Sequence, residues 1–68
     1  MEVNVDKLKE LRIDEGLSQR ALAQRAGLSQ TSIWKIERGG GANPATLKKL
    51  ADVLGVRATD LVKGASDA

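Results

Sequence analysis

Residues 17–39, LSQRALAQRAGLSQTSIWKIERG, read as two short helices joined by a tight turn at fixed spacing. Ser18 is placed to N-cap the first, because its hydroxyl can accept a backbone N–H that the opening helical turn leaves without a partner. Leu22 and Ala26 then fall on one face of that helix. Gly27 supplies the C-terminal turn, where the chain needs a positive φ that a side chain would resist. Ser29 can cap a second helix that turns Ile33 and Ile36 inward. Ala23 lies where two helices joined this closely would cross, and a larger side chain there would push them apart.

Outward from this pair the chain reads as helical on both sides. Asn4 can cap a helix over about residues 5–15, with Leu8 and Leu11 on one face and Gly16 ending it. The two central helices should span about residues 19–26 and 30–38. Gly39, Gly40, Gly41 and Ala42 form a flexible loop, and Asn43 with Pro44 makes a strong start signal for a fourth helix. Leu47, Leu50, Ala51 and Leu54 follow at helical spacing until Gly55 stops it. A short fifth helix around residues 58–62 would place Leu61 and Val62 near the core or near a partner. Val56 shares those two alternatives. Residues 64–68 are expected to fray. With no internal repeat and no second domain, the pattern predicts one all-α domain over residues 1–68.

Composition narrows the function classes. A chain of 68 residues buries a modest core, so its stability must come from well-packed helices or from association. It has no Cys and no His, which removes disulfides, thiolate metal sites, a major zinc ligand and the commonest general base. The carboxylates are scattered over predicted helix surfaces, so no nucleophile, base and orienting group can be assembled, and no enzyme, metal or cofactor is expected. The apolar runs are too short to span a bilayer, and MEVNVDKLKE lacks the basic start and apolar core of a signal peptide. The expected location is cytoplasmic, with no membrane partner.

The net charge of +2 is small, but it is unevenly placed. Residues 1–17 carry three basic and five acidic groups, giving −2. Residues 18–38 carry Arg20, Arg25, Lys35 and Arg38 against Glu37, giving +3, and residues 39–68 carry four basic and three acidic groups, giving +1. The positive charge is therefore concentrated on the two central helices.

The central segment resembles the phage repressor and Cro-like helix-turn-helix family, often called the XRE family. The resemblance extends over nearly the whole chain: LKELRIDEGLS at residues 8–18 is similar to the family's first helix with its Leu-Arg pair, and NPATLKKLADVLGV at residues 43–56 to its fourth. It implies a lambda repressor-like fold, a compact bundle of five short helices. The second and third would form the motif, and the third would enter the major groove of double-stranded DNA.

At about 100° per residue, Ile33 and Ile36 point to one side of the third helix, and Gln30, Thr31, Trp34, Lys35 and Arg38 to the other. The resemblance implies that Gln30, Thr31 and Lys35 reach base edges. Their chemistry suits it: Gln30 can pair bidentately with adenine, Thr31 can donate a hydrogen bond or touch a thymine methyl, and Lys35 can reach guanine acceptors. Gln19 matches the family's phosphate-contacting glutamine, at a helix N-terminus that itself favours an anion. Ser29, Ser32 and Arg38 are further candidates for the DNA backbone, although capping is the main role expected of Ser18 and Ser29, since an N-cap serine needs no ligand to explain it. Arg12 and Glu37 look like the family's structural ion pair between the first helix and the end of the third. Trp34, the only aromatic residue, would either stack against sugar-phosphate at the groove wall or cover a neighbouring part of the protein. Ile13 is also unusual, because the family places a polar residue after the Leu-Arg pair.

Two departures from the family pattern qualify these expectations. The glycine loop carries none of the basic side chains that several relatives place there, which leaves backbone amides as its only approach to a phosphate. The chain also stops soon after Val62, where strongly dimerising relatives carry more, so it is either a weak associator or a piece of a longer protein. The function implied is a sequence-specific transcriptional regulator, a repressor that occupies a pseudo-palindromic operator as a homodimer formed weakly or on DNA. The alternative is an antitoxin or interaction adaptor, with a toxin or other protein partner, in which DNA contact is secondary.

Overall fold

Each helix begins at a side chain that takes up a free backbone donor. In the computed structural model, which describes residues 1–64, Asn4 accepts from the Lys7 N–H (3.1 Å) and opens α1 (Val5–Asp14). Ser18 accepts from Ala21 N–H (3.0 Å) at α2 (Gln19–Ala26), and Ser29 from Ser32 N–H (3.1 Å) at α3 (Gln30–Lys35). Asn43 accepts from Thr46 N–H (2.8 Å) and, with Pro44 in the first turn, opens α4 (Pro44–Leu54). Such caps contribute about 1 kcal/mol each, a useful fraction of stability in a domain this small. Gly27 closes α2 at φ 70°, a left-handed turn in which the Leu28 N–H reaches the Ala23 carbonyl at 2.8 Å.

Every element contributes to the core, α4 most of all with Leu47, Leu50, Ala51 and Leu54. Leu8 of α1, Leu22 of α2, Ile33 of α3, Leu47 and Leu50 of α4, and Leu61 are wholly buried. Ala23 of α2 is 2% exposed and lies in the same cluster, and the helix that packs most closely on α2 is α3. Behind this pair, α4 braces α2, and the segment following α3 rests on α1. The two motif helices are thus held from behind, which leaves their outer faces free.

Three features differ from the sequence expectation. First, α3 is shorter than residues 30–38: the regular helix stops at Lys35 and the chain passes through one wider turn, Ile36–Gly40. Gly39 leaves the helix at φ 92°, and the backbone at Gly40 comes so close to the Lys35 carbonyl oxygen that a Cβ there would lie 2.8 Å from it. The run of glycines therefore shapes the turn and is more than a slack connection. Gly40→Ala is expected to destabilise the fold by roughly 1–3 kcal/mol through this backbone clash, lowering the melting temperature by several degrees in a circular dichroism scan.

Second, the fifth helix is a single 3-10 turn, Ala58–Leu61, too short for an α-helical ladder. Leu61 from it is wholly buried and closes the core, while Val56 and Val62 are partly covered. Of the two roles open for Leu61, core closure is the one it fills.

Third, the N-terminal residues form a strap that sequence reasoning missed. Val3 is buried and pairs antiparallel with Val62 in an isolated bridge, with Asn4 N–H donating to Leu61 O (2.8 Å) and Lys63 N–H to Glu2 O (3.1 Å). On its other side, Met1 exchanges backbone hydrogen bonds with Ala42: the α-ammonium donates to Ala42 O (2.8 Å) and Ala42 N–H donates to Met1 O (2.9 Å). A stretch of three residues is too short to show alternation, so nothing in the sequence marked it as extended. The expected frayed tail falls, from residue 65 onward, outside the described residues.

Candidate nucleic-acid interface

The outer face of α3 is polar, cationic and accessible. Gln30, Thr31, Trp34 and Lys35 are exposed, as is Arg38 in the wide turn, while Ile33 and Ile36 are buried beneath them. Gln30, Thr31 and Trp34 line a shallow open notch of about 190 Å³. A second open groove, of about 250 Å³, runs beside Ser32 and Lys35 and is floored by Gly40, Gly41 and Ala42. Because the glycines bring no side chains, the backbone itself forms this margin of the face.

What fixes the tilt of this face is a buried polar junction. Glu37 is the single buried charged residue among those described, at 5% exposure. Arg12 Nε donates to its Oε2 at 2.7 Å and Arg12 Nη2 to its Oε1 at 3.1 Å, a two-pronged pair whose planar geometry arginine suits and lysine does not. The third guanidinium nitrogen, Nη1, donates to Leu17 O at 2.9 Å. Gln19 completes the set by donating from Nε2 to Glu37 Oε1 at 3.0 Å. Among the described residues no buried side-chain nitrogen or oxygen is left without a partner. The junction therefore ties α1, the α1–α2 turn, the start of α2 and the wide turn after α3 into one rigid corner, with its desolvation offset by hydrogen bonds.

Gln19 thereby has two demands on one amide. One N–H is held by Glu37, and the other can still serve an anion at the start of α2. The Gln19–Glu37 contact had no signal in the sequence, because it depends on how α2 and the wide turn cross. Ser29 and Ser32 are occupied with each other: beyond the cap, their hydroxyl oxygens lie 2.9 Å apart in a shared hydrogen bond. Ser18 is likewise engaged as a cap. Trp34 is 49% exposed, and Arg38 lies over its ring, with the guanidinium carbon 4.7 Å from the ring centroid. Ile13 stands out on α1 as an exposed apolar side chain at 64%.

The sequence profile of the helix-turn-helix (HTH_3) family matches residues 8–61, from within α1 to the end of the final 3-10 turn. The chain belongs to this helix-turn-helix family. Over 61 residues it is 44% identical to an uncharacterized HTH-type transcriptional regulator, RghRB, of Bacillus subtilis (strain 168). That alignment covers 87% of this chain but 44% of the relative, so the chain spans less than half the relative's length. Among solved structures, the restriction-modification controller protein C.AhdI from Aeromonas hydrophila superposes with a TM-score of 0.77 at 33% identity, covering 82% of this chain and 86% of that one. SinR, a master regulator for biofilm formation whose structure was solved in complex with DNA, superposes with a TM-score of 0.71 at 32% identity, covering 79% and 89%. In family terms α2 and α3 are the helix-turn-helix, α3 is the recognition helix, and the lambda repressor-like fold carries both. Among the described residues no helix is long and apolar enough to cross a membrane.

Proposed function

We propose that this protein is a sequence-specific DNA-binding transcriptional regulator, a repressor that places α3 in the major groove of a pseudo-palindromic operator. The observation that carries the reading is the division of α3 into a buried apolar side and an exposed stripe of hydrogen-bonding and cationic side chains, locked in position by the Arg12–Glu37–Gln19 junction. Gln30, Thr31 and Lys35 read base edges, each contributing roughly 1–3 kcal/mol of discrimination at its own base pair. Gln19, through its remaining N–H, holds a phosphate at the start of α2, and Arg38 holds another after α3. Ser29 and Ser32 make secondary backbone contacts through hydroxyls already ordered by the cap. Likeness to a regulator solved with DNA and to a controller protein supports this reading.

A module of this size covers a small stretch of duplex, so specificity over genomic competitors calls for two half-sites about one helical turn apart, bound by a homodimer that forms on the DNA. Selection from a random duplex library at moderate salt is expected to enrich an inverted repeat with that spacing. A folded protein that enriches no sequence would remove the reading.

A further inference from the structure

Trp34 stands on the outer face of the recognition helix and belongs to no part of the core cluster. A half-exposed indole keeps a large apolar surface in water, and what lies over it is the guanidinium of Arg38, one helical turn onward. We infer that Trp34 is a positioning residue: its ring is a shelf that holds the Arg38 guanidinium ready for a DNA phosphate. The inference rests on the DNA-binding reading above and adds a residue that acts there through another.

The geometry supports it in three ways. The guanidinium carbon lies over the ring at 4.7 Å from its centroid, a cation–π contact that consumes none of the side chain's N–H donors and so leaves them available to an anion. Those donors are free: among the described residues, every ion pair is made by Arg12, Lys48 or Lys63, and no side-chain hydrogen bond is made by Arg38. Arg12 shows the opposite case, with all three nitrogens committed to Glu37 and Leu17. Finally, the adjacent carboxylate, Glu37, is turned inward and neutralised by Arg12, so it does not compete for Arg38. A long side chain that is already ordered loses less freedom when it meets its phosphate, and that raises affinity without adding a contact.

The test is a double-mutant cycle with Trp34→Leu, Arg38→Ala and the pair, read as affinity for a mixed-sequence duplex of about two helical turns over a salt series. Phosphate contacts do not depend on sequence, so no operator is needed. Arg38→Ala is expected to weaken binding roughly tenfold and to flatten the salt slope by about 0.9. Trp34→Leu, which keeps apolar bulk but removes the π face, should weaken binding several-fold in the parent and not at all in the Arg38→Ala background, while Trp34→Tyr restores most of the loss. Because Trp34 is the sole aromatic residue, fluorescence reports this site alone, and Arg38→Ala should alter Trp34 emission in the free protein. Equal losses from Trp34→Leu in both backgrounds, no loss in either, or an unchanged emission would each overturn the inference. A parent that binds no duplex at low salt would overturn the DNA-binding reading and this inference with it. A parent that binds while the cycle is additive removes the role of Trp34 alone.

Discussion

Glu37→Ala is expected to remove a third or more of the stability of this domain. A folded chain of 68 residues has a stability of roughly 3–10 kcal/mol at the usual 0.05–0.15 kcal/mol per residue. Taking away one partner of a buried ion pair costs about 3–5 kcal/mol, because the other is left desolvated without compensation. Here the stranded groups are Arg12, whose side chain is 15% exposed, and the Gln19 amide, which shares the same carboxylate. A fall in melting temperature of more than about 10 °C is the expected reading by circular dichroism. A Glu37→Ala variant that melts with the parent would sink this account of the junction.

The same argument separates the charge from the contact. Glu37→Gln keeps the shape and one acceptor oxygen but leaves Arg12 unpaired, so it should be nearly as harmful as alanine. Replacing both partners with apolar residues, Arg12→Leu with Glu37→Leu, should recover much of the loss, since no buried charge is then left alone. DNA binding by Glu37→Ala should fall at least in proportion to its folded fraction. Any deficit that persists at low temperature, where the variant is folded, measures how far the corner fixes the tilt of α3.

The helices were legible because each is bounded by chemistry that a sequence displays. Asn4, Ser18, Ser29 and Asn43 announce caps, Gly27 and Gly55 announce left-handed turns, and the apolar spacing through Leu47, Leu50 and Leu54 announces the buried face of α4. What was not legible depends on the arrangement of elements distant in sequence. The strap of Met1–Val3 gains its hydrogen bonds from Ala42 and from Leu61–Lys63, and no local pattern encodes partners so far along the chain. The end of α3 was missed for a different reason. Ile36 and Arg38 continue the helical pattern, but the glycines behind them allow a wider turn that a residue with a side chain at position 40 would block. For the site, the face of α3 followed from periodicity alone, whereas the Gln19–Glu37 hydrogen bond and the Trp34–Arg38 cation–π contact required the fold.

The reading face gives the complementary prediction. Gln30 and Lys35 are exposed, and their side chains make no hydrogen bond or ion pair among the described residues. Gln30→Ala with Lys35→Ala should therefore leave the melting temperature within about 2 °C of the parent, as for substitutions that touch no core or network. Alanine also has the highest helix propensity, so neither change weakens α3. On a selected operator the pair is expected to lose roughly 2–6 kcal/mol of discrimination, because in the proposed function each side chain reads its own base pair and the two effects add at separate positions. Affinity for unrelated duplex should fall far less, by about the one phosphate-range charge that Lys35 carries. The ratio of the two affinities is thus the quantity to measure. A collapse of that ratio in a variant that melts normally, set against Glu37→Ala, which melts early, would divide the motif into residues that present the recognition helix and residues that read with it. If instead the ratio survives the double substitution, the base contacts of α3 lie elsewhere along its face, and Thr31 and the Trp34 notch become the positions to vary next.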